Sequence, residues 1–252
     1  MIQKYEINLA IFNKLPGFIL GYWLSKKIIS HFENDKKIGE VGEAKQGLST
    51  SDNHKFLRLW SEVSFSNISF DCHSCEETKI SKTKWFPFNK AGYYRKWTPL
   101  NEYVVNYEND GLDIKKAVLT KYKYLKTPDF VVKNTNFYFK SGITWNDVST
   151  GSFCARLVDC GYIFADSAPM YFCNNVLVIL AFFNSAVFQK FADFICQGLH
   201  YSTGHIPQIP YVSIDGDLKI DIENIVNLLI SESKIDSDAF ETSWEFKKHP
   251  LI

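Results

Sequence analysis

The sequence predicts a mixed α/β fold with a twisted β-sheet core, and three observations carry that reading. Apolar residues recur at helical spacing in stretches near 17–33, 176–196 and 221–231. Between them lie short runs dense in Val, Ile, Phe, Tyr and Trp, bounded by polar residues, as strands are. The 252 residues are 46% hydrophobic and 22% charged, a globular composition that excludes a disordered chain. With no internal repeat and no evident linker, residues 1–252 read as one domain.

Taken in order, Pro16-Gly17 precede Ile19, Tyr22, Trp23, Ile29 and Phe32, an amphipathic helix over 17–33. The polar, glycine-containing stretch 34–53 is a loop. Residues 56–65, 84–88 and 102–107 are strands, with Pro87 at an edge or bulge because it cannot donate to a ladder. Residues 110–122 form a helix capped by Asp110, with Ile114, Val118 and Tyr122 on one side. Three short strands follow over 136–140, 143–148 and 162–166. Leu177, Leu180, Ala181, Asn184, Phe188, Phe191 and Ile195 then step by three and four, one helix over 176–196. Ile206-Pro207 and Ile209-Pro210 demand extended backbone, and Asp221 caps a last helix carrying Ile222, Ile225, Val226 and Leu229.

The apolar stretch Leu9 to Phe12 is too short for a signal-peptide core. The longest apolar run, 176–183, falls well short of the roughly 20 residues that span a bilayer. The expectation is a chain without membrane association, in the cytoplasm, with Cys72, Cys75, Cys154, Cys160, Cys173 and Cys196 as free thiols. Cys72-His73-Ser74-Cys75 has zinc-knuckle spacing, but no second pair completes four ligands, so a surface loop is the better reading.

No Gly-x-Gly-x-x-Gly loop, Walker-type lysine loop, Gly-x-Ser-x-Gly elbow or His-Glu-x-x-His helix occurs. Pro128-Asp129 and Glu245-Phe246-Lys247 are too far apart to be read as a nuclease motif, and Glu102, Glu108 and Asp110 read as surface acids. No catalytic or metal-binding residue emerges.

Charge is the informative feature. Lys+Arg and Asp+Glu both number 28, yet residues 79–140 hold 13 basic and 5 acidic residues, while 141–252 hold 6 and 13. A positive region on a neutral protein attracts polyanions locally. Within it, TKISKTKWFPFNKAGYYRKW (78–97) contains no acid and interleaves cations with aromatic rings. Lys84, Lys90 and Lys96 are candidates for DNA phosphates, Arg95 and Asn89 for base edges, and Trp97 for ring contact. Gln46, Thr50 and Asn53, in a run of small polar residues, form a second group. Removing the Arg95 and Lys96 side chains together is expected to weaken DNA binding with little change in thermal stability. Two other classes fit the same residues: a protein-interaction module without DNA contact, and a carbohydrate binder using Trp and Tyr platforms, which the acid-free basic run disfavours.

QGLSTSDNHKFLRLWSEV (46–63), KWFPFNKAGYYRKW (84–97), NEYVVNYENDG (101–111), FYFKSGITW (137–145) and DAFETSWEF (238–246) resemble, in that order, the large adenine methyltransferases of type 1 BREX phage-defence systems, the PglX family. AFFNSAVFQKF (181–191) followed by HIPQIP (205–210) is similar to target-recognition domains of restriction-modification proteins. The resemblance implies a target-recognition-like fold and sequence-specific recognition of double-stranded DNA. It implies that N6-adenine methylation belongs to a catalytic domain, with S-adenosylmethionine bound there, because the family's cofactor loop and Asn-Pro-Pro-Tyr-type motif are absent from these 252 residues. This chain alone would then be no enzyme, and its partners would be duplex DNA, that catalytic domain and other defence-complex proteins. Ser51 stands where the family pattern has glycine, which puts a left-handed turn or close phosphate approach there in doubt.

Overall fold

The structure is a computed structural model describing residue 13 and residues 15–196, 198–249 and 251–252. The N-terminal stretch read for a signal segment lies outside the described residues.

Strands β2 (Gly42–Lys45), β9 (Met170–Cys173), β6 (Gly142–Trp145) and β7 (Ala155–Val158) form an antiparallel sheet in the order β2-β9-β6-β7. Strands β3 (Leu57–Leu59), β5 (Tyr103–Asn106), β4 (Trp85–Asn89) and β8 (Ile163–Phe164) form a second, ordered β3-β5-β4-β8, in which β4 and β8 run parallel. A short ribbon joins β1 (Lys36–Lys37) to β10 (Pro210–Tyr211).

Side chains of a strand alternate between faces, so the register of the first sheet sorts its residues into two layers. Ala44, Tyr171, Ile143 and Leu157 lie in one row and face a core completed by helices α5 (Val176–Phe183) and α6 (Ala186–Ile195). Lys45, Met170, Thr144 and Arg156 form the next row, on the opposite face. Met170 there joins a second core with Phe86, Phe88, Val105, Phe139 and Phe164. Strand β6 is therefore buried on both sides, and its Thr144 accepts a hydrogen bond from Asn89 Nδ2 of β4 at 2.9 Å. Asn89 is thus a polar tie between the sheets rather than a surface residue. Its assignment to base edges is corrected: β4 is buried along its whole length, so neither of its faces offers a side chain to a ligand.

Several predicted elements are shorter or divided. The helix expected over 17–33 reduces to α1 (Lys26–Asn34), because Ser25, whose Oγ accepts from Ile28 N, supplies the first cap. The strand expected over 56–65 keeps only β3, between helix α2 (Asn53–Phe56), capped by Asp52, and 3-10 turns at Trp60–Glu62 and Phe65–Asn67. No strand forms over 136–140, where a 3-10 turn is followed by Phe139 at φ 66°. Pro87 lies in a central strand, at the point where pairing with β5 ends and pairing with β8 begins. The helix expected over 176–196 breaks between α5 and α6 with a 69° bend. There Asn184 accepts from Ala155 N and donates to Ala155 O, both at 3.0 Å, continuing the edge of β7 with a side-chain amide, while Ser185 caps α6. Among the described residues no single helix is long and apolar enough to cross a membrane.

Helix α4 (Glu108–Lys121) opens with Asn109, Asp110 and Gly111 in the left-handed region. Asp110 gives no cap there; its carboxylate pairs with Lys115 at 2.7 Å and Lys79 at 3.8 Å. The last helix, α7 (Asp217–Asp238), has its N-cap at Gly216, five residues before the predicted cap, and lays Ile222, Val226 and Ile230 on the first core. Helix α3 (Glu77–Ile80) is a single turn on which Thr78 is buried. Sγ of Cys72 donates to Ser74 O and Sγ of Cys75 to Thr135 O, while burial pushes the Cys75 thiol up to about 12.

Asn89→Ala would leave Thr144 without its partner across the sheets. A loss of about 1–3 kcal/mol is expected, read as a fall in melting temperature of roughly 2–10 °C.

Candidate nucleic-acid interface

The segment 46–53 enters the fold as an inserted edge. Leu48 N donates to Phe164 O at 2.8 Å, Asp166 N to Leu48 O at 3.1 Å, and Ser49 N to Val131 O at 3.1 Å. Gly47 sits so close to Phe164 that a Cβ there would meet its carbonyl oxygen at 2.0 Å, so only glycine permits this approach. The insertion carries the turn at Thr50–Asn53 up to the end of β4, where Lys90 emerges. Thr50, Asn53, Lys90 and Ser167 line one cleft, and Asn53, Arg58, Lys90 and Tyr103 line a second beside it.

The turn is organised from within. Thr50 is buried and donates to Asn53 Oδ1 at 2.5 Å, while Asp52 Oδ1 accepts from Lys55 N at 3.1 Å. Ser51 has φ 57°, the left-handed conformation that glycine adopts without cost, so the backbone shape associated with glycine is kept despite the serine. Its Oγ is buried without a hydrogen-bond partner, and Lys121 Nζ closes the turn by donating to Ser51 O at 2.7 Å.

Cations gather around these clefts. Arg58 donates from Nη1 to His54 O and Leu57 O, both at 2.6 Å, and lies 5.9 Å from the Trp85 ring centroid. Lys90 stands 5.1 Å from the centre of Tyr103. Burial, with smaller contributions from Glu102 and Tyr93, holds the Tyr103 phenol above its ordinary value. Lys55, Lys116 and Lys121 line a third depression beyond Ser51. Asp52, Asp113, Asp166 and Glu62 stand among them, so on these linings five cations face four acids.

The residues proposed from sequence separate sharply in space. Asn53, Lys90 and Thr50 converge, with Thr50 acting on Asn53 rather than facing solvent. Gln46 is engaged by Lys133, whose Nζ donates to Oε1 at 2.7 Å. Lys84 lies at the far end of β4, about 20 Å from Lys90 at the ordinary rise of a strand. Arg95, Lys96 and Trp97 turn away. Arg95 donates to Ser233 O and pairs with Asp236 at 3.2 Å, and Lys96 Nζ donates to Asn184 O at 2.9 Å. Trp97, at φ 77°, bridges to β7 through its backbone and packs against the first core. The acid-free run is therefore a path through the protein, and its last cations anchor α7 and the α5–α6 junction. Arg58, Lys55 and Tyr103 were not singled out as site residues from sequence. They come to this surface because α2, β3, β5 and the turn after β4 end side by side, an adjacency with no local signal.

A comparison with protein-family models finds no match. The chain is 34% identical over 247 residues to the adenine-specific methyltransferase BrxX of Escherichia coli O9:H4 (strain HS), covering 96% of this chain and 18% of that protein. It is 30% identical over 254 residues to the adenine-specific methyltransferase PglX of Lacticaseibacillus casei (strain Zhang), covering 98% of this chain and 20% of that protein. The chain matches one portion of BREX-type adenine-specific methyltransferases. It spans about a fifth of the length of the curated relatives it matches.

Ser51→Gly should relieve the left-handed strain and remove an unpartnered hydroxyl. The expected gain is about 1 kcal/mol, offset in part by the freer unfolded chain, and appears as a melting temperature higher by roughly 2–4 °C. Arg95→Ala with Lys96→Ala should instead lower the melting temperature by several degrees, since each side chain holds a distant element. This reverses the expectation, drawn from sequence, that stability would be unaffected.

Proposed function

We propose that this chain is a DNA-recognition unit of a BREX-type adenine-specific methyltransferase, placing duplex DNA for N6-adenine methylation carried out by a catalytic domain outside these residues. The observation that carries the reading is the convergence of Asn53, Arg58, Lys90 and Tyr103 on one pair of clefts, with Lys55, Lys116 and Lys121 alongside. Cations placed around a polar amide combine phosphate attraction with a side chain able to read a base edge. The similarity to the two adenine-specific methyltransferases supports the same reading.

The topology supports a division of labour between recognition and chemistry. S-adenosylmethionine binding of the kind the sequence resemblance implies needs a parallel strand feeding a glycine-rich loop and a helix N-terminus. Among the described strands, β4–β8 is the parallel pair, and β4 leads into the aromatic turn 90–97 rather than such a loop. The reading accordingly assigns the cofactor, and the methyl transfer, to the catalytic domain.

A second reading has its own observation. Leu218, Ile225, Leu228 and Ile235 of α7 are exposed, and an apolar helix flank of this kind suits contact with another protein element. Salt separates the two, because phosphate contacts release counterions and burial of apolar surface does not. Fluorescence anisotropy with a random-sequence duplex should show affinity falling steeply between low and moderate salt. Arg58→Ala with Lys90→Ala should weaken binding across sequences and lower the slope of log affinity against log salt by about 2. Affinity independent of salt would remove the DNA reading.

A further inference from the structure

We propose that Tyr93 is a preorganised stacking ring that lies against a nucleobase turned out of the stack of bound DNA. The inference rests on the DNA reading above and names a contact that reading leaves open.

Tyr93 is 82% exposed and its neighbour Tyr94 59% exposed, although the turn bearing them is held on both sides. Asn146 grips Gly92 from two directions: its Oδ1 accepts from Gly92 N at 3.4 Å and its Nδ2 donates to Gly92 O at 2.8 Å. Arg156, buried at 4% exposure, donates to the same Asn146 Oδ1 at 2.7 Å and fixes the amide from behind. No ion pair among the described residues involves Arg156, and its Nε makes no hydrogen bond. A guanidinium held in the interior is costly, so its use here to brace one amide marks the turn as rigid by construction. On the far side, Arg95 is tied to Ser233 and Asp236, Lys96 to Asn184, and Trp97 N to Ala155 O at 3.0 Å.

A short turn clamped at both ends cannot fold its rings back onto the core. It projects them at little further cost in ordering when a ligand arrives. The surroundings specify the ligand. Tyr93 follows by three residues Lys90, whose Nζ stands 5.1 Å from the centre of the Tyr103 ring in the cleft shared with Arg58 and Asn53. An exposed ring with cations beside it fits an unstacked base flanked by phosphates: within a duplex both faces of a base are covered by its neighbours, whereas a base outside the stack offers its π-face to the ring while cations take the backbone.

The test is photo-crosslinking of this chain to a random-sequence duplex carrying one unpaired 5-iodouracil, a base that couples to aromatic rings stacked on it. Tryptic cleavage isolates Ala91–Arg95, and fragmentation is expected to place the adduct on Tyr93. In anisotropy titrations Tyr93→Ala should bind the duplex about tenfold more weakly, whereas Tyr93→Phe, which keeps the ring, should stay within about twofold. Melting temperatures of both variants should match the parent because the side chain is exposed, so weaker binding would not reflect unfolding. Salt-dependent binding with adducts only on other peptides, or with Tyr93→Ala binding as tightly as the parent, would overturn the stacking role and leave the DNA reading standing. Absence of salt-dependent binding by every form would overturn both.

Discussion

Strand β6 is buried on both faces, and that constraint shapes what surrounds it. Ile143 and Trp145 point into an aromatic core with Phe153, Phe183 and Phe188. Thr144 points the other way, toward β4, and must satisfy its hydroxyl there or lose stability. It does so by donating to the chain at Ala168 and Pro169 and by accepting from Asn89. This contact joins the two four-stranded sheets at the point where β4 ends, so the exit of Lys90 and the turn beyond it are fixed by a hydrogen bond in the interior.

The same layer supplies the support for the turn after β4. Arg156 stands beside Thr144 in the cross-strand row, and Asn146 follows directly after β6. Buried polar groups need full satisfaction because the local dielectric strengthens both made and unmade bonds. Here the group next to the buried arginine is an amide that also holds the backbone of an exposed turn. Core and surface are thereby coupled: the polar row that ties the sheets is continuous with the clamp that presents Tyr93.

The charge distribution takes on a different meaning once placed in space. Residues 79–140 are strongly basic along the chain, but Lys79 and Lys115 are paired with Asp110, Arg95 with Asp236, and Lys96 lies against Asn184 O. The cations near the clefts are instead Lys55 and Arg58 from an earlier segment, Lys90, and Lys116 and Lys121 of α4. Electrostatic attraction depends on distance through space, so a linear count of charge locates the neighbourhood of an interface without identifying its members.

What the sequence determined by itself is what short-range physics governs. The mixed α/β class, strands β4 and β5 and helices α4 and α7 were legible because periodicity and composition act within a few residues, while strings such as KWFPFNKAGYYRKW carried the resemblance. Much of what lies beyond that range was not. The break at Asn184 depends on an amide completing the edge of β7, 29 residues away in sequence. The inward turn of Asn89 depends on Thr144, 55 residues away, and the anchoring of Arg95 depends on Ser233, 138 residues away. Which cations share a surface, and which rings are held out from the core, were decided by the tertiary structure, because those properties belong to contacts between segments that carry no local trace of one another.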